Sequence, residues 1–511
     1  MKKKSVSRIF SAVMVVAMST ALCACKGGSS GNSSSGNNSS STPEFIFGMS
    51  QTITSVDPHA DTDAATRCVL FNVYEGLVKP TAEGVLVPAV AQDYEISSDA
   101  TEYTFTIRDG ITFHDGNAVK ASDVKYSLER SAEIAGGNSA LSVISDISTP
   151  DDSTVVITIS APNSEFIYNL TAAIVEESND ATQATNPIGT GPFRITEFAE
   201  GEYLDMAKYD GYWAELDCID SCRFKFIDSA TTAYTELESH AIDCLQYLTH
   251  EQAEALGDDY NIITTSMMLI HGLFLNNASE DCPALQDVRV RQALNYAVDR
   301  NEINDTLFAG ESKLIQTHGY PRVAWYNEDT ADTYTYDTDK AAQLLKEAGY
   351  ENGFTLQITV PKEYDQHVQT TEIIADQLSK VGIKVDINKV DWSTWLSDVY
   401  QGRSYQATVI GFDASVMAPY TWYKRYVSDS SNDMTNFSDE EYDALYAQAV
   451  ATIDFDEKHE IYNQMQQILA DKAASVFIED PADFVAINKR YTGYTPYPVS
   501  AIDMSRVRAA E

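Results

Sequence analysis

Six aromatic side chains, Trp392, Trp395, Phe412, Tyr420, Trp422 and Tyr423, crowd one late stretch of the chain. Flat rings stack on peptide side chains or on sugar faces without needing a charged partner, so this stretch could line a pocket or equally fill a core. Trp422 is the ring first expected to touch a solute. Bond-making chemistry finds less support. Gly27-Gly28-Ser29-Ser30-Gly31 matches the nucleophile-elbow pattern, yet neither strand nor helix surrounds it to strain the serine into position. No HExxH sequence occurs, and the abundant carboxylates read as solvated surface rather than as a glycosidase pair. The eight histidines form no HxH or HxxxH pair, and Cys218 with Cys222 lacks a second pair at zinc-finger spacing. These residues point to binding without turnover, with no catalytic residue, no metal ligand and no cofactor.

The elements that must hold those rings follow from periodicity. From Asp337 a helix carries Ala341, Leu344, Leu345 and Ala348 on one stripe and stops at Gly349. Phe354, Leu356, Ile358 and Val360 then alternate as a strand. A second helix follows with Ile373, Ile374, Gln377, Leu378 and Val381, and a second strand with Ile383, Val385 and Ile387. Upstream, Glu102 to Ile107 and Thr154 to Ile159 read as strands and Ser122 to Arg130 as a helix with Asp123 in its first turn. The class is α/β, and with 511 residues the chain is long enough for two to four domains.

Thirty-five Lys and Arg against 76 Asp and Glu give a formal charge of −41, which repels nucleic acid across most of the surface. The cationic start at Lys2, Lys3, Lys4 and Arg8 runs into an apolar stretch from Ile9 to Leu22, a secretory signal over residues 1 to 24. Leu22-Cys23-Ala24-Cys25 resembles the bacterial lipobox, which makes Cys25 the expected lipidation site. Gly27 to Ser41 contains only Gly, Ser and Asn, and residues 25 to 42 read as a flexible tether reaching roughly 20 to 25 Å from a membrane. No later stretch is apolar enough to span a bilayer. The expected location is lipid-anchored on the extracytoplasmic face of the cell membrane. Five later cysteines remain, an odd number, and buried thiols are the plain reading.

Several blocks along the chain resemble one family. They include Val56-Asp57-Pro58-His59, Tyr74-Glu75-Gly76-Leu77-Val78 and Tyr103-Thr104-Phe105-Thr106-Ile107-Arg108-Asp109-Gly110-Ile111-Thr112-Phe113-His114-Asp115-Gly116. Gly189-Thr190-Gly191-Pro192-Phe193 and the run from Asp287 to Arg300 follow in the same order. The chain resembles the extracellular solute-binding proteins of peptide- and nickel-type ABC importers, family 5, similar to the oligopeptide- and dipeptide-binding proteins. His114 beside its turn, and the Gly and Pro residues of these blocks, read mainly as scaffold.

The resemblance implies a two-lobed periplasmic-binding-protein-like clamp, type II, of the large peptide-binding subclass, with an inserted subdomain. The implied partition is 43–76, 186–275 and 476–511 for the first lobe, 77–185 for the insertion and 276–475 for the second lobe. It also implies a monomer that closes on a solute and passes it to an ABC permease and ATPase complex. Di- or oligopeptide leads as ligand class, with an oligosaccharide or metal chelate as alternatives and a secreted hydrolase as the distant one. By analogy the cleft is lined by an extended early segment at Thr62, Asp63 and Ala64. The other lining block runs from Gly411 to Pro419, with Phe412, Asp413 and Ser415, and the aromatics Trp392, Trp395, Tyr420 and Trp422 lie nearby. Ser415 stands where peptide-binding relatives place the carboxylate for an α-ammonium, a loss of about 2 to 5 kcal/mol unless Asp413 substitutes. Val409 and Gln369 stand at the relatives' carboxylate-binding arginine positions, leaving Arg403 as the nearest replacement.

Overall fold

The computed structural model describes residues 44–60, 63–136, 139–414, 417–428 and 430–511. The signal stretch, Cys25, the tether, Thr62 and Ser415 therefore lie outside the described residues. Two large mixed sheets and one small sheet organise the body, and helices cover the large sheets.

The first large sheet has seven strands in the spatial order Tyr260–Ser266, Ala482–Asn488, Cys244–Leu248, Phe45–Met49, Ser221–Phe226, Tyr203–Lys208 and Phe193–Ala199. The second has six: Lys313–Leu314, Val476–Asp480, Leu269–Leu275, Ala407–Asp413, Thr355–Pro361 and Lys384–Val390. An antiparallel sheet of four strands, Ala91–Ile96, Glu102–Ile107, Thr154–Ile159 and Ile144–Ser148, forms the core of the inserted subdomain. This is the two-lobed clamp with an insertion.

The periodic elements fall where their spacing predicts. The helix Thr338–Glu347 is capped by Asp337, which accepts from the Lys340 N–H at 2.8 Å, and it buries Ala341, Leu344 and Leu345. Gly349 follows with φ of 88°, a conformation that costs a Cβ-bearing residue about 1 kcal/mol or more. The strands Thr355–Pro361 and Lys384–Val390 pair in parallel, with Leu356 opposite Val385 and Ile358 opposite Ile387. The helix between them, Asp365–Ser379, buries Ile374 and Leu378 in the same core, so the unit is a βαβ crossover.

The chain passes between the large sheets at two adjacent points. One is Met267-Met268, where Met268 adopts φ of 52°, and the other is Pro481. The two crossings are bonded to each other: Met267 N–H donates to the Pro481 carbonyl at 2.8 Å, and Leu269 N–H donates to Asp480 Oδ1 at 3.0 Å. Leu269–Leu275 and Val476–Asp480 thus belong to the second sheet, which corrects the expected boundaries at 275 and 476. Both strands are buried along nearly their whole length, His271, Glu479 and Asp480 included, so no polar-apolar alternation marks where one sheet ends. Among the described residues, no helix is long and apolar enough to cross a membrane.

Candidate functional site

A cavity of about 540 Å³ opens where the start of the first lobe, the insertion and the segment after Asp413 come together. Thr66, Arg67, Tyr74, Glu75, Lys79, Tyr168, Asn169, Met417 and Tyr497 are among the side chains on its wall. Thr66 and Arg67 closely follow the early predicted segment, and Met417 lies within the late block. The two regions singled out in the sequence therefore meet here through their neighbours.

The early block is an internal clamp. Arg130, on the insertion helix Ala121–Ala135, donates to both carboxylate oxygens of Asp57, at 3.0 and 2.6 Å, and to His59 Nδ1 at 2.9 Å. His59 Nε2–H then donates to the Ala173 carbonyl at 2.9 Å. Burial would raise the Asp57 carboxyl, but the hydrogen bonds and charge of Arg130 outweigh it and leave the group below its ordinary range. Burial also lowers His59, consistent with a neutral ring. Glu75 is equally engaged: Oε1 accepts from Lys79 Nζ and from the Tyr212 hydroxyl, each at 2.7 Å, and Oε2 accepts from the Trp213 indole at 2.9 Å. Gly189 and Gly191 press on the backbone of Asn72 and Val73, where any Cβ would collide. His114 is satisfied inside this junction, accepting from Gly189 N–H and donating to the Gly191 carbonyl, and burial lowers it to about 4.

The extended segment expected at Asp63 and Ala64 is instead a helix start. Asp63 is the N-cap of Ala64–Leu70, accepting from Thr66 N–H at 2.8 Å, and Ala64 is the first helical residue. A carboxylate immediately before a helical run accepts from the unpaired N–H two or three residues further on, a signal present in the sequence.

The late block divides into rings that face inward and groups that face outward. Trp422 is 4% exposed and rests edge-on against Tyr320, with centroids 4.7 Å apart, inside the second-lobe core. Trp395 is 2% exposed and donates its indole N–H to Thr408 Oγ1 at 2.9 Å. These two expected solute contacts are core residues: apolar rings beside a sheet gain more by burial than by waiting in water. Trp392 is different, 36% exposed and stacked flat on Trp395 at 5.1 Å, with the exposed Tyr364 edge-on at 5.4 Å. Phe412 is half-buried between Phe274 and the guanidinium of Arg425, which lies 4.4 Å from its ring centre. Tyr420 is tied to the insertion, its hydroxyl accepting from Asn169 Nδ2 at 2.9 Å. Arg403 is engaged with a loop, donating to Asn436 Oδ1 at 3.1 Å and to the Ser430 carbonyl at 2.9 Å. Val409 lies in the core and Gln369 on the outer side of its helix.

Asp413 stands exposed at the end of its strand, opposite Leu269. On the first-lobe side of the same crossing stands a residue that sequence reasoning missed. Tyr247 is 64% exposed although it follows an apolar strand core, and it sits at φ of 60° beside an irregularity in strand pairing. Its N–H is held by Asp483 Oδ1 at 2.9 Å. Asp413 and Tyr247 thus lie on either side of the Pro481 crossing: Asp413 pairs opposite Leu269, whose N–H is held by Asp480, and Tyr247 N–H is held by Asp483. Nothing in the residue pattern marks a positive φ at tyrosine; the bulge that imposes it is a tertiary feature.

Among the described residues no group of three or more His, Cys, Asp or Glu has metal-holding geometry. The nearest arrangement is a buried chain in which His271 Nδ1 meets Glu479 Oε1 at 3.3 Å and His271 Nε2 meets His367 Nδ1 at 3.2 Å. Burial lowers the imidazoles to about 4 and about 3 and raises Glu479 to about 8, so neutral groups sharing protons fill this space. Cys68, Cys218, Cys222, Cys244 and Cys282 are free thiols.

Residues 85–434 match the family model described as bacterial extracellular solute-binding proteins, family 5. The dipeptide-binding protein of Escherichia coli K12 is 27% identical over 454 residues, covering 81% of this chain and 84% of that protein. The glutathione-binding protein GsiB of Pectobacterium atrosepticum is 27% identical over 485 residues, 89% of this chain and 91% of that one. Among solved structures, the ABC transporter substrate-binding protein CtaP of Listeria monocytogenes superposes with a TM-score of 0.81 at 24% identity, covering 91% of this chain and 99% of that one.

Proposed function

The chain belongs to the family 5 bacterial extracellular solute-binding proteins, and from that premise we propose that it captures a di- or oligopeptide between its lobes and delivers it to an ABC permease and ATPase complex. The observation that supports the peptide reading is that exposed Asp413 and exposed Tyr247, from opposite lobes, both flank the Pro481 crossing, offering a carboxylate for an ammonium group and a ring for the chain that follows it. A cavity of about 540 Å³, within the range of small-molecule sites, lies where Met417 meets the first lobe and the insertion. Solute touching both lobes binds the closed arrangement more tightly and shifts the population toward it. The role is binding, with the solute released unchanged.

Cys25, lipidated after removal of residues 1–24, anchors a monomer to the extracytoplasmic face of the membrane through the Gly/Ser/Asn tether in this reading. Replacing Cys25 by Ser is expected to release the protein from membranes, measured by fractionation. Native mass spectrometry of the purified protein tests the ligand class: bound mixed peptides support it, and a bound sugar overturns it. Titration with a free tripeptide and its N-acetyl form sharpens the test. Asp413→Asn should weaken the free peptide by about 10- to 100-fold and leave the acetylated one unchanged. An oligosaccharide is the second reading, favoured by the open platform of Trp392 and Tyr364.

A further inference from the structure

The two covalent crossings at Met267-Met268 and Pro481 are adjacent and bonded to each other, so together they supply a single pivot. One pivot alone permits rotation about many axes. A second contact joins the same halves at a different place. Ser164 N–H donates to the Val450 carbonyl at 2.9 Å, and its hydroxyl lies 2.6 Å from the Thr452 carbonyl. Next to it Glu165 is 1% exposed and Lys458, on the second-lobe helix Phe455–Asp471, is 5% exposed, with Nζ 3.6 Å from Glu165 Oε1 and 2.7 Å from Ser164 Oγ. Tyr462 donates its hydroxyl to Glu165 Oε1 at 2.9 Å, and Tyr420 N–H donates to Oε2 at 2.8 Å.

The segment that presents Glu165 is fixed to the first lobe. It leads into the short helix Phe166–Thr171, whose Leu170 and Thr171 backbone lies so close to Gly76 that no Cβ fits there. The same short helix reaches the second lobe through Asn169 and Tyr420. Taking a carboxylate and an ammonium out of water costs several kcal/mol per ion and returns little net stability. An apolar contact would serve stability at least as well. What the pair supplies is a fixed orientation, because each partner has several directional bonds to satisfy.

We infer that Glu165 is a positioning residue for solute capture: with Ser164 and Lys458 it forms the second bearing of the hinge, confining lobe motion to one axis and fixing the segment that carries Asp413 and Met417. Two bearings define a line, and rotation about that line opens and closes the lobes in one register. This rests on the reading that solute is captured by closing lobes.

The test measures interlobe distances by electron–electron double resonance between labels at Asp151→Cys in the insertion and Glu351→Cys in the second lobe, in a Cys68→Ser, Cys218→Ser background. Without solute, the distribution is expected to broaden roughly twofold in Glu165→Gln and also in the milder Ser164→Ala. Leu128→Ala, in the insertion core, should lower the melting temperature and leave the width unchanged, separating positioning from general stability. Unchanged widths in both Glu165→Gln and Ser164→Ala, or equal broadening in Leu128→Ala, overturn the inference. Adding an equimolar mixture of di- to pentapeptides should shorten the mean distance in the otherwise unaltered chain. Absence of that shift counts against capture by closure, while the widths without solute still decide the bearing.

Discussion

The junction between the first lobe and the insertion, and the facing edges of the two large sheets, are built on opposite principles. In the junction the charged groups are engaged: Asp57 with Arg130, His59 between Arg130 and Ala173, Glu75 with Lys79, Tyr212 and Trp213. Glycines there bring backbones into contact. At the sheet edges, Tyr247, Trp392 and Tyr364 keep open ring faces and Asp413 stands in solvent. The blocks that carry the family likeness sit largely in the first region, and the departures from the family pattern sit in the second. Likeness in this chain therefore marks how the lobes are held, and difference marks what they are shaped to hold.

The comparison breaks first on two tryptophans that the sequence treats alike. Trp422→Ala should cost about 3 to 5 kcal/mol of stability, because a buried ring leaves a cavity. Trp392→Ala should change stability by less than about 1 kcal/mol and act instead on solute affinity. Urea denaturation and titration calorimetry measure the two effects, and an exchange of phenotypes would refute the division between core and edge. Within the junction, Arg130→Met leaves Asp57 buried without its guanidinium and should cost about 3 kcal/mol. Asp57→Asn with Arg130→Met should recover part of that loss, since the stranded charge is gone; no recovery would mean the clamp acts through packing rather than charge.

How much of this was legible depends on the range of the interaction. The βαβ unit from Thr338 to Val390 was readable because Ala341, Leu344, Leu356 and Ile358 repeat at helical and strand periods, a property of neighbours along the chain. The exact crossing points were not, since Leu269–Leu275 and Val476–Asp480 are buried on both faces and pair with partners far away along the chain. Aromatic type alone did not tell Trp422 from Trp392, because both suit a core and a pocket; exposure is decided by what packs above them. Asp63 carried a readable helix-cap signal, yet the analogy to an extended segment overrode it. Tyr247 was invisible because its value lies in a backbone conformation that tyrosine rarely adopts.

A buried acid beneath the second sheet sharpens the contrast further. Burial raises Glu479 to about 8 against an ordinary value of 4.5, so the folded protein keeps its proton after the unfolded chain has lost it. The unfolded state then binds fewer protons, and stability falls as pH rises from about 4.5 to about 8. Glu479→Gln removes that penalty while preserving a hydrogen-bond donor toward His271. The variant should gain about 4 kcal/mol over the wild type between pH 5 and pH 8.5, read from denaturation midpoints at each pH. His271 and His367, lowered to about 4 and about 3, act in the opposite sense only below pH 6.5, so the upper part of the window isolates Glu479. A constant difference between variant and wild type across that window would show that Glu479 is ionised in the fold.

The smallest effect is the most specific to the sheet edge. Tyr247 holds φ of 60°, which costs a residue with a Cβ about 1 kcal/mol and costs glycine almost nothing. Its exposed ring buries little in the free protein, so removing it forfeits little packing. Tyr247→Gly should therefore leave stability unchanged or raise it by up to about 1 kcal/mol, the lost strain being partly offset by the greater freedom of glycine in the unfolded chain. In the proposed reading the same change removes a ring that meets the solute, and affinity for a free tripeptide should fall about 10-fold. Tyr247→Ala should lose affinity equally while keeping the strain, separating ring from backbone. Stability and affinity falling together in Tyr247→Gly would place the ring in the scaffold, and the sheet edge would then follow the same rule as the junction.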